Sequence, residues 1–180
     1  MGSTSHETER HEGVKPLEVG ARLPSFELPT LGGRPADTRA PVRGAAALMF
    51  VHHPGCEGCL AYISRVAKEL PAENVWAATA VPVMPADAAF VERAMREHDV
   101  GPLPFPVLLD TNNRLREQCG VDEGAAAVFV ADRWGQIYDR TLAGSTHDLP
   151  TAHELEEWFT FLAVYCAECN VEPASDAGSG

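Results

Sequence analysis

Two cysteines separated by two residues, Cys56 and Cys59, are the side chains of this sequence best suited to covalent chemistry. They follow the apolar run 45–51 and a Pro54-Gly55 pair, and an amphipathic segment starts directly after Cys56. This order predicts a buried strand, a turn and a helix, with Cys56 at the helix N-terminus. Backbone N–H groups and the helix dipole favour a thiolate there. The pattern therefore predicts Cys56 as an attacking thiol and Cys59, one turn further on, as the thiol that resolves a mixed disulfide.

The residues beside this pair are unusual for a reactive thiol. His53 lies three residues before Cys56, and an imidazole can donate to a thiolate or carry a proton near neutral pH. The alternative is that His53 only caps the turn. His52, at the end of the predicted strand, is interpreted as structural. Glu57 brings a negative charge between the two cysteines, which disfavours a second negative charge on sulfur.

A second pair with the same spacing, Cys166 and Cys169, lies near the C-terminus on the apolar stripe of a predicted helix. We favour a second redox dithiol that exchanges electrons with the first pair or with a partner protein. A zinc site of Cys56, Cys59, Cys166 and Cys169 is the alternative, because four thiolates satisfy tetrahedral zinc. Simple packing is the third interpretation. The fifth cysteine, Cys119, is predicted to be a buried small apolar residue.

Composition limits the classes of partner. The chain has 180 residues and a net charge of −12, which disfavours nucleic acid and anionic membrane surfaces. Residues 1–14 contain no apolar signal-peptide core, and no stretch approaches the roughly 20 apolar residues of a membrane span. We therefore expect a cytoplasmic protein with a flexible tail at 1–15, one domain at 16–169 and a second tail at 170–180. In that compartment cysteines are more often redox-active, metal-binding or buried than part of a disulfide framework.

Apolar periodicity predicts alternating strands and helices around the cysteine pair. An edge segment is predicted at 19–30 and a loop at 82–85. Strands are predicted at 45–51, 75–81, 105–110, 125–131 and 135–139, and helices at 57–70, 86–98, 112–118 and 149–169. Strand–helix alternation followed by a hairpin and a helix predicts an α/β fold, with a central mixed sheet flanked by helices on both faces.

Four segments, in order, resemble the thioredoxin superfamily, and within it the alkyl hydroperoxide reductase/thiol-specific antioxidant branch of redoxins and peroxiredoxin-like proteins. Residues 19–29 are similar to the opening "vGxxaPdFxLp". The strand before Pro54-Gly55-Cys56 occupies the place of that branch's active-site turn. Residues 103–110, with Cys119-Gly120-Val121, are similar to "fPvlsD…yGV", and 128–137 are similar to "tFviDrdGkI". The resemblance covers roughly residues 19–158 and implies a thioredoxin-like fold.

The resemblance also implies redox chemistry at Cys56 and Cys59, with a protein thiol, disulfide or dithiol reductant as partner and no cofactor. Peroxiredoxins carry Thr or Ser where this chain has His53, and an Arg in a region where it has Ala126 and Ala127. These differences favour a thiol–disulfide oxidoreductase over a peroxidase. The alternative is a non-catalytic accessory or binding subunit of a larger redox assembly, with structural or zinc-binding cysteine pairs.

Overall fold

The structure is a computed structural model, and it describes residues 15–70, 78–144 and 148–165. Seven strands and four helices alternate along these residues. In chain order they are β1 (Glu27–Leu28), β2 (Ala36–Asp37), β3 (Ala46–Phe50), α1 (Glu57–Glu69), β4 (Thr79–Met84), α2 (Ala88–Glu97), β5 (Leu108–Leu109), α3 (Arg114–Gln118), β6 (Ala126–Ala131), β7 (Ile137–Ala143) and α4 (Ala152–Val164).

A five-stranded sheet with the order β5-β4-β3-β6-β7 forms the centre of the protein. Strands β3, β4 and β5 are parallel, whereas β6 is antiparallel to both β3 and β7. The short β1–β2 hairpin forms a separate two-stranded sheet. The prediction of a mixed central sheet is therefore confirmed.

Strand β3 is apolar throughout because both of its faces are buried. Since side chains alternate along a strand, Ala47 and Met49 join one core, while Leu48 and Phe50 join the other. The first core also contains buried apolar residues of α1, α2 and α4, and the second contains Leu115 of α3 and Leu23 of the N-terminal segment. Helices therefore cover both faces, as predicted.

Helix α1 packs its apolar stripe of Leu60, Ile63 and Val66 against the first core. The hydroxyl of Tyr62 donates to the carbonyl of Pro150 at 2.8 Å, which ties α1 to the start of α4. The longest of the described helices, α1 and α4, have 13 residues each. Across the described residues, no helix combines the length and apolar character needed to cross a membrane.

The second predicted strand was placed too early in the chain. Residues 71–77 are outside the described part, and β4 runs to Met84, so the loop predicted at 82–85 is wrong. Pro82, the first residue of the predicted loop, lies inside β4 and pairs with Met49 of β3. The ladder between β4 and β5 starts only at Val83, so Pro82 precedes the residues that pair on that side. A missing N–H is tolerated at such a position.

The predicted last helix was too long at both ends. Helix α4 begins at Ala152 because Thr151 caps it in a capping box with Glu154. It ends at Val164, and Tyr165 has an extended backbone. The last predicted strand, in contrast, was too short, since β7 extends to Ala143.

Candidate active site

Cys56 is the N-cap residue of α1. Its backbone is extended, and its Sγ accepts a hydrogen bond from the backbone N–H of Cys59 at 3.5 Å. The carbonyl of His53 accepts from the N–H of Cys56 at 3.1 Å and closes the turn that leads from β3 to the helix. Cys56 is half-buried. The predicted arrangement of strand, turn and helix therefore holds the sulfur where unpaired helix N–H groups favour negative charge.

Cys59 lies in the first turn of α1 and is 1% exposed. Its Sγ is 3.1 Å from Nδ1 of His52. Burial raises the pKa of Cys59 to about 11, although hydrogen bonding from the backbone of His52 acts in the opposite direction. The neighbouring Cys56 raises this pKa further. The two thiols are both free, and they differ sharply in access to solvent.

The two histidines have different contacts. His53 is exposed, and its Nδ1 accepts a hydrogen bond from the N–H of Gly55 at 3.1 Å, so its ring supports the turn. His52, interpreted from sequence as structural, is the histidine that contacts a sulfur atom. Sequence offered no signal for this, because His52 lies beyond the last residue of β3, where strand alternation no longer sets the side-chain direction.

Arg116 is a buried cation near the site that sequence reasoning did not identify. Its Nη2 donates to the carbonyl of Val51, and its Nη1 donates to the carbonyls of Asp122 and Ala125 at 2.9 and 3.0 Å. Burial lowers the pKa of Arg116, while the charges of Asp110 and Cys59 act in the opposite direction. Because Val51 precedes His52, Arg116 anchors the backbone from which the active-site turn begins.

The second cysteine pair, Cys166 and Cys169, lies outside the described residues. The last described residue, Tyr165, lines a cavity together with Arg43, Gly44 and Ala45 at the start of β3. Cys56 follows the other end of that strand, which is roughly 15 Å long. The redox role of the second pair, and the zinc site of four cysteines, stay predictions.

Three groups with complementary chemistry therefore meet where β3 passes into α1. They are a half-buried thiol at a helix N-terminus, a buried thiol one turn away and an imidazole in contact with the buried sulfur. Such a set can form and break disulfide bonds. It also presents two sulfur ligands and one nitrogen ligand to a metal ion.

Solved structures with this fold include proteins of thiol chemistry. Mycobacterium tuberculosis AhpC superposes with a TM-score of 0.69 at 16% identity, covering 86% of this chain and 99% of that one. A peroxiredoxin-like protein from Aquifex aeolicus gives 0.65 at 17%, covering 81% and 90%. A Chlorobium tepidum protein assigned as the thiol:disulfide interchange protein DsbE gives 0.65 at 18%, covering 82% and 99%. These likenesses establish the thioredoxin-like fold.

Comparison of the sequence with protein families classifies the chain more narrowly than its fold does. No curated protein matches it significantly. The Redoxin family, in contrast, matches residues 18–157, which include most of both cores and the whole cysteine turn. The chain therefore belongs to the redoxin family.

Proposed function

We propose that the protein is a thiol–disulfide oxidoreductase in which Cys56 attacks and Cys59 resolves. The observation that carries this proposal is the unequal burial of two neighbouring thiols. Cys56 is half-buried at the helix N-cap, whereas Cys59 is 1% exposed one turn along the same helix. A substrate disulfide can reach Sγ of Cys56 but not Sγ of Cys59. The mixed disulfide therefore forms on Cys56, where the neighbouring Cys59 can attack it.

The reaction requires two exchange steps. The Cys56 thiolate attacks one sulfur of a substrate disulfide, forms a mixed disulfide and releases the other substrate sulfur as a thiolate that takes up a proton. Cys59 then attacks Sγ of Cys56, and the remaining substrate thiol leaves. Nδ1 of His52, 3.1 Å from Sγ of Cys59, can accept the Cys59 proton when the imidazole carries its own proton on Nε2. The substrate gains two electrons, the protein becomes a disulfide, and a dithiol donor resets it.

A protein thiol or disulfide is the partner class that we propose. Support comes from the family membership and from the shared fold of the interchange protein DsbE. The exposed residues around Cys56, namely His53, Glu57 and Gly58, leave its sulfur open to a macromolecular disulfide. The alternative, a non-catalytic subunit of a larger redox assembly, predicts instead that the purified protein does not reduce disulfides alone.

We propose disulfides rather than peroxides as the substrate. The resemblance to peroxiredoxins leads us to expect an arginine that holds the thiolate and polarises the peroxide. In the described part of the chain, Arg116 is the buried arginine nearest this role, but its hydrogen bonds go to the carbonyls of Val51, Asp122 and Ala125. Without an arginine directed at the sulfur, we expect peroxide to oxidise Cys56 slowly compared with the exchange of Cys56 with a disulfide.

The test is a single-turnover reaction of reduced protein, freed of reductant, with an aromatic disulfide whose thiol product absorbs light. Cys166→Ser and Cys169→Ser are introduced first, so that any product comes from the remaining cysteines. We expect two thiols released per chain. Adding Cys56→Ser should lower the release to that of buffer alone.

Circular dichroism of the Cys56→Ser protein is the folding control, because Ser is itself a good N-cap residue and should preserve α1. If the Cys56→Ser protein still releases two thiols per chain, the proposal is wrong. The proposal is also wrong if the folded Cys166→Ser/Cys169→Ser protein, with Cys56 intact, releases no aromatic thiol.

A further inference from the structure

We propose that His52, Cys56 and Cys59 form a zinc-binding site in the reduced protein, with the fourth coordination position left open. The inference concerns metal binding and does not depend on disulfide turnover, although it uses the same side chains. It differs from the four-cysteine site that the sequence analysis gave as an alternative, because His52 replaces the C-terminal pair.

The separations between the three ligand atoms suit zinc. One ring nitrogen of His52 and the Sγ atoms of Cys56 and Cys59 lie within 4.8 Å of one another, and Nδ1 is 3.1 Å from Sγ of Cys59. Tetrahedral zinc, with Zn–S of about 2.3 Å and Zn–N of about 2.0–2.1 Å, separates such ligand atoms by about 3.5–3.8 Å. The 3.1 Å separation is slightly shorter than this range and no separation exceeds 4.8 Å, so shifts of about 1 Å or less convert the cluster into a zinc site.

The ligands are held by rigid parts of the fold. His52 is the second residue after β3, and Arg116 anchors the preceding carbonyl, that of Val51. Cys56 and Cys59 occupy the cap and the first turn of α1. Ligands on fixed elements lose little conformational freedom on binding, which favours a specific metal site.

The chemistry of the ligands selects the ion. Thiolate and imidazole ligands favour zinc over Mg²⁺ and Ca²⁺, which prefer oxygen. When zinc replaces the two thiol protons, two thiolates neutralise its charge, which lets it sit beside the buried Cys59. His52 and Cys56 are half-buried, so the ion can enter from solvent and can exchange a fourth ligand.

Two observations favour His52 over the C-terminal cysteines as the third ligand. His52 already contacts the cluster, and within the described ranges its group is the one set of three His, Cys, Asp or Glu side chains close enough to share an ion. Tyr165, which precedes Cys166, lies against the opposite end of β3.

The test is a competition titration of reduced full-length protein with Zn²⁺ against a chromophoric zinc chelator. We expect one ion per chain. The double variant Cys166→Ser/Cys169→Ser should bind zinc as tightly as the parent. His52→Ala should weaken binding about 100-fold or more, since even the loss of an outer-shell partner costs about 10–100-fold.

His53→Ala is the matched control, because His53 precedes the same turn but contacts Gly55 instead of a sulfur. It should leave zinc affinity unchanged. His52→Asn provides a second variant that keeps a polar side chain, in case His52→Ala does not fold. With Co²⁺ in place of zinc, the thiolate charge-transfer absorption should persist in the Cys166→Ser/Cys169→Ser protein. It should disappear in the Cys56→Ser/Cys59→Ser protein.

Three results would overturn the inference: no stoichiometric zinc, loss of binding in the Cys166→Ser/Cys169→Ser protein, or unchanged affinity in both His52 variants. The disulfide reaction is run separately with a metal chelator present. A protein that binds zinc without reducing disulfides refutes only the proposed function, and the reverse result refutes only the zinc site.

Discussion

Cys59 and Cys119 are both buried, yet only one of them has partners for chemistry. Cys59 is 1% exposed and Cys119 is 0% exposed, and burial raises their pKa values to about 11 and about 12. Cys59 lies in the first turn of α1 beside a second thiol and an imidazole. Cys119 is the C-cap residue of α3 and packs among apolar side chains of the second core. A buried thiol without reactive neighbours is inert. A buried thiol with a second thiol and a base beside it can attack a disulfide formed on that second thiol.

The largest expected difference between these two cysteines is in turnover. In the proteins with Cys166→Ser and Cys169→Ser, adding Cys59→Ser should stop the reaction after the first exchange. One thiol is then released per chain, and mass spectrometry should find the other substrate half attached to Cys56. Cys119→Ala should release two thiols as the parent does. Two thiols from the Cys59→Ser protein would show that Cys59 does not resolve the mixed disulfide.

The second difference is in reactivity with an alkylating reagent, which reports thiolate content and access. Because their pKa values are raised to about 11 and about 12, Cys59 and Cys119 are almost entirely protonated at pH 8. We expect Cys56 to be labelled first, Cys59 far more slowly and Cys119 slowest of the three. Peptide mapping after timed labelling measures this order. Labelling of Cys119 before Cys59 in folded protein would contradict it.

His52 should accelerate the second exchange, in which Cys59 attacks the mixed disulfide on Cys56. In the described part of the chain, Cys119 has no such neighbouring imidazole. With a chelator present, His52→Ala should slow the second exchange by about 10², a typical contribution of a positioned general base. The same variant should leave the first exchange at Cys56 nearly unchanged. Rapid-quench mass spectrometry of the mixed disulfide separates the two rates. His53→Ala is the control, and equal slowing by both variants would indicate a general effect of the turn.

The last expected difference concerns stability in alkali and involves Cys119 alone. Burial raises the pKa of Cys119 from 9.0 to about 12, so between these values the folded protein retains a proton that the unfolded chain has lost. Stability is therefore fully present below pH 9 and falls as the pH rises towards 12. At pH 11 this loss is about 3 kcal/mol, and Cys119→Ala should remove it.

Urea denaturation at pH 8 and pH 11, with reductant, measures this effect. The variant should be less stable at pH 8 by about 1 kcal/mol for the lost sulfur, and the order should reverse at pH 11. Equal pH dependence in the two proteins would mean that the Cys119 thiol does not titrate as its burial implies.

Local patterns predicted the elements better than their ends. The apolar run before Cys56 and the helical spacing after it located β3 and α1, because both segments meet the core along most of their length. Pro82 misled the placement of β4, since its effect depends on whether the neighbouring strand pairs at that residue. Thr151 and Glu154 did carry a capping signal in the sequence, which would have placed the start of α4 correctly.

The sequence by itself determined the mixed α/β sheet, the family resemblance and the placement of Cys56 at a helix N-terminus. These follow from periodicity and order along the chain. Only the tertiary structure decided which histidine touches a sulfur and which arginine anchors the turn. His52 and Cys59 are seven residues apart, and Arg116 and Val51 are 65 apart. Such contacts depend on how β3, α1 and α3 pack together, and no local pattern encodes that.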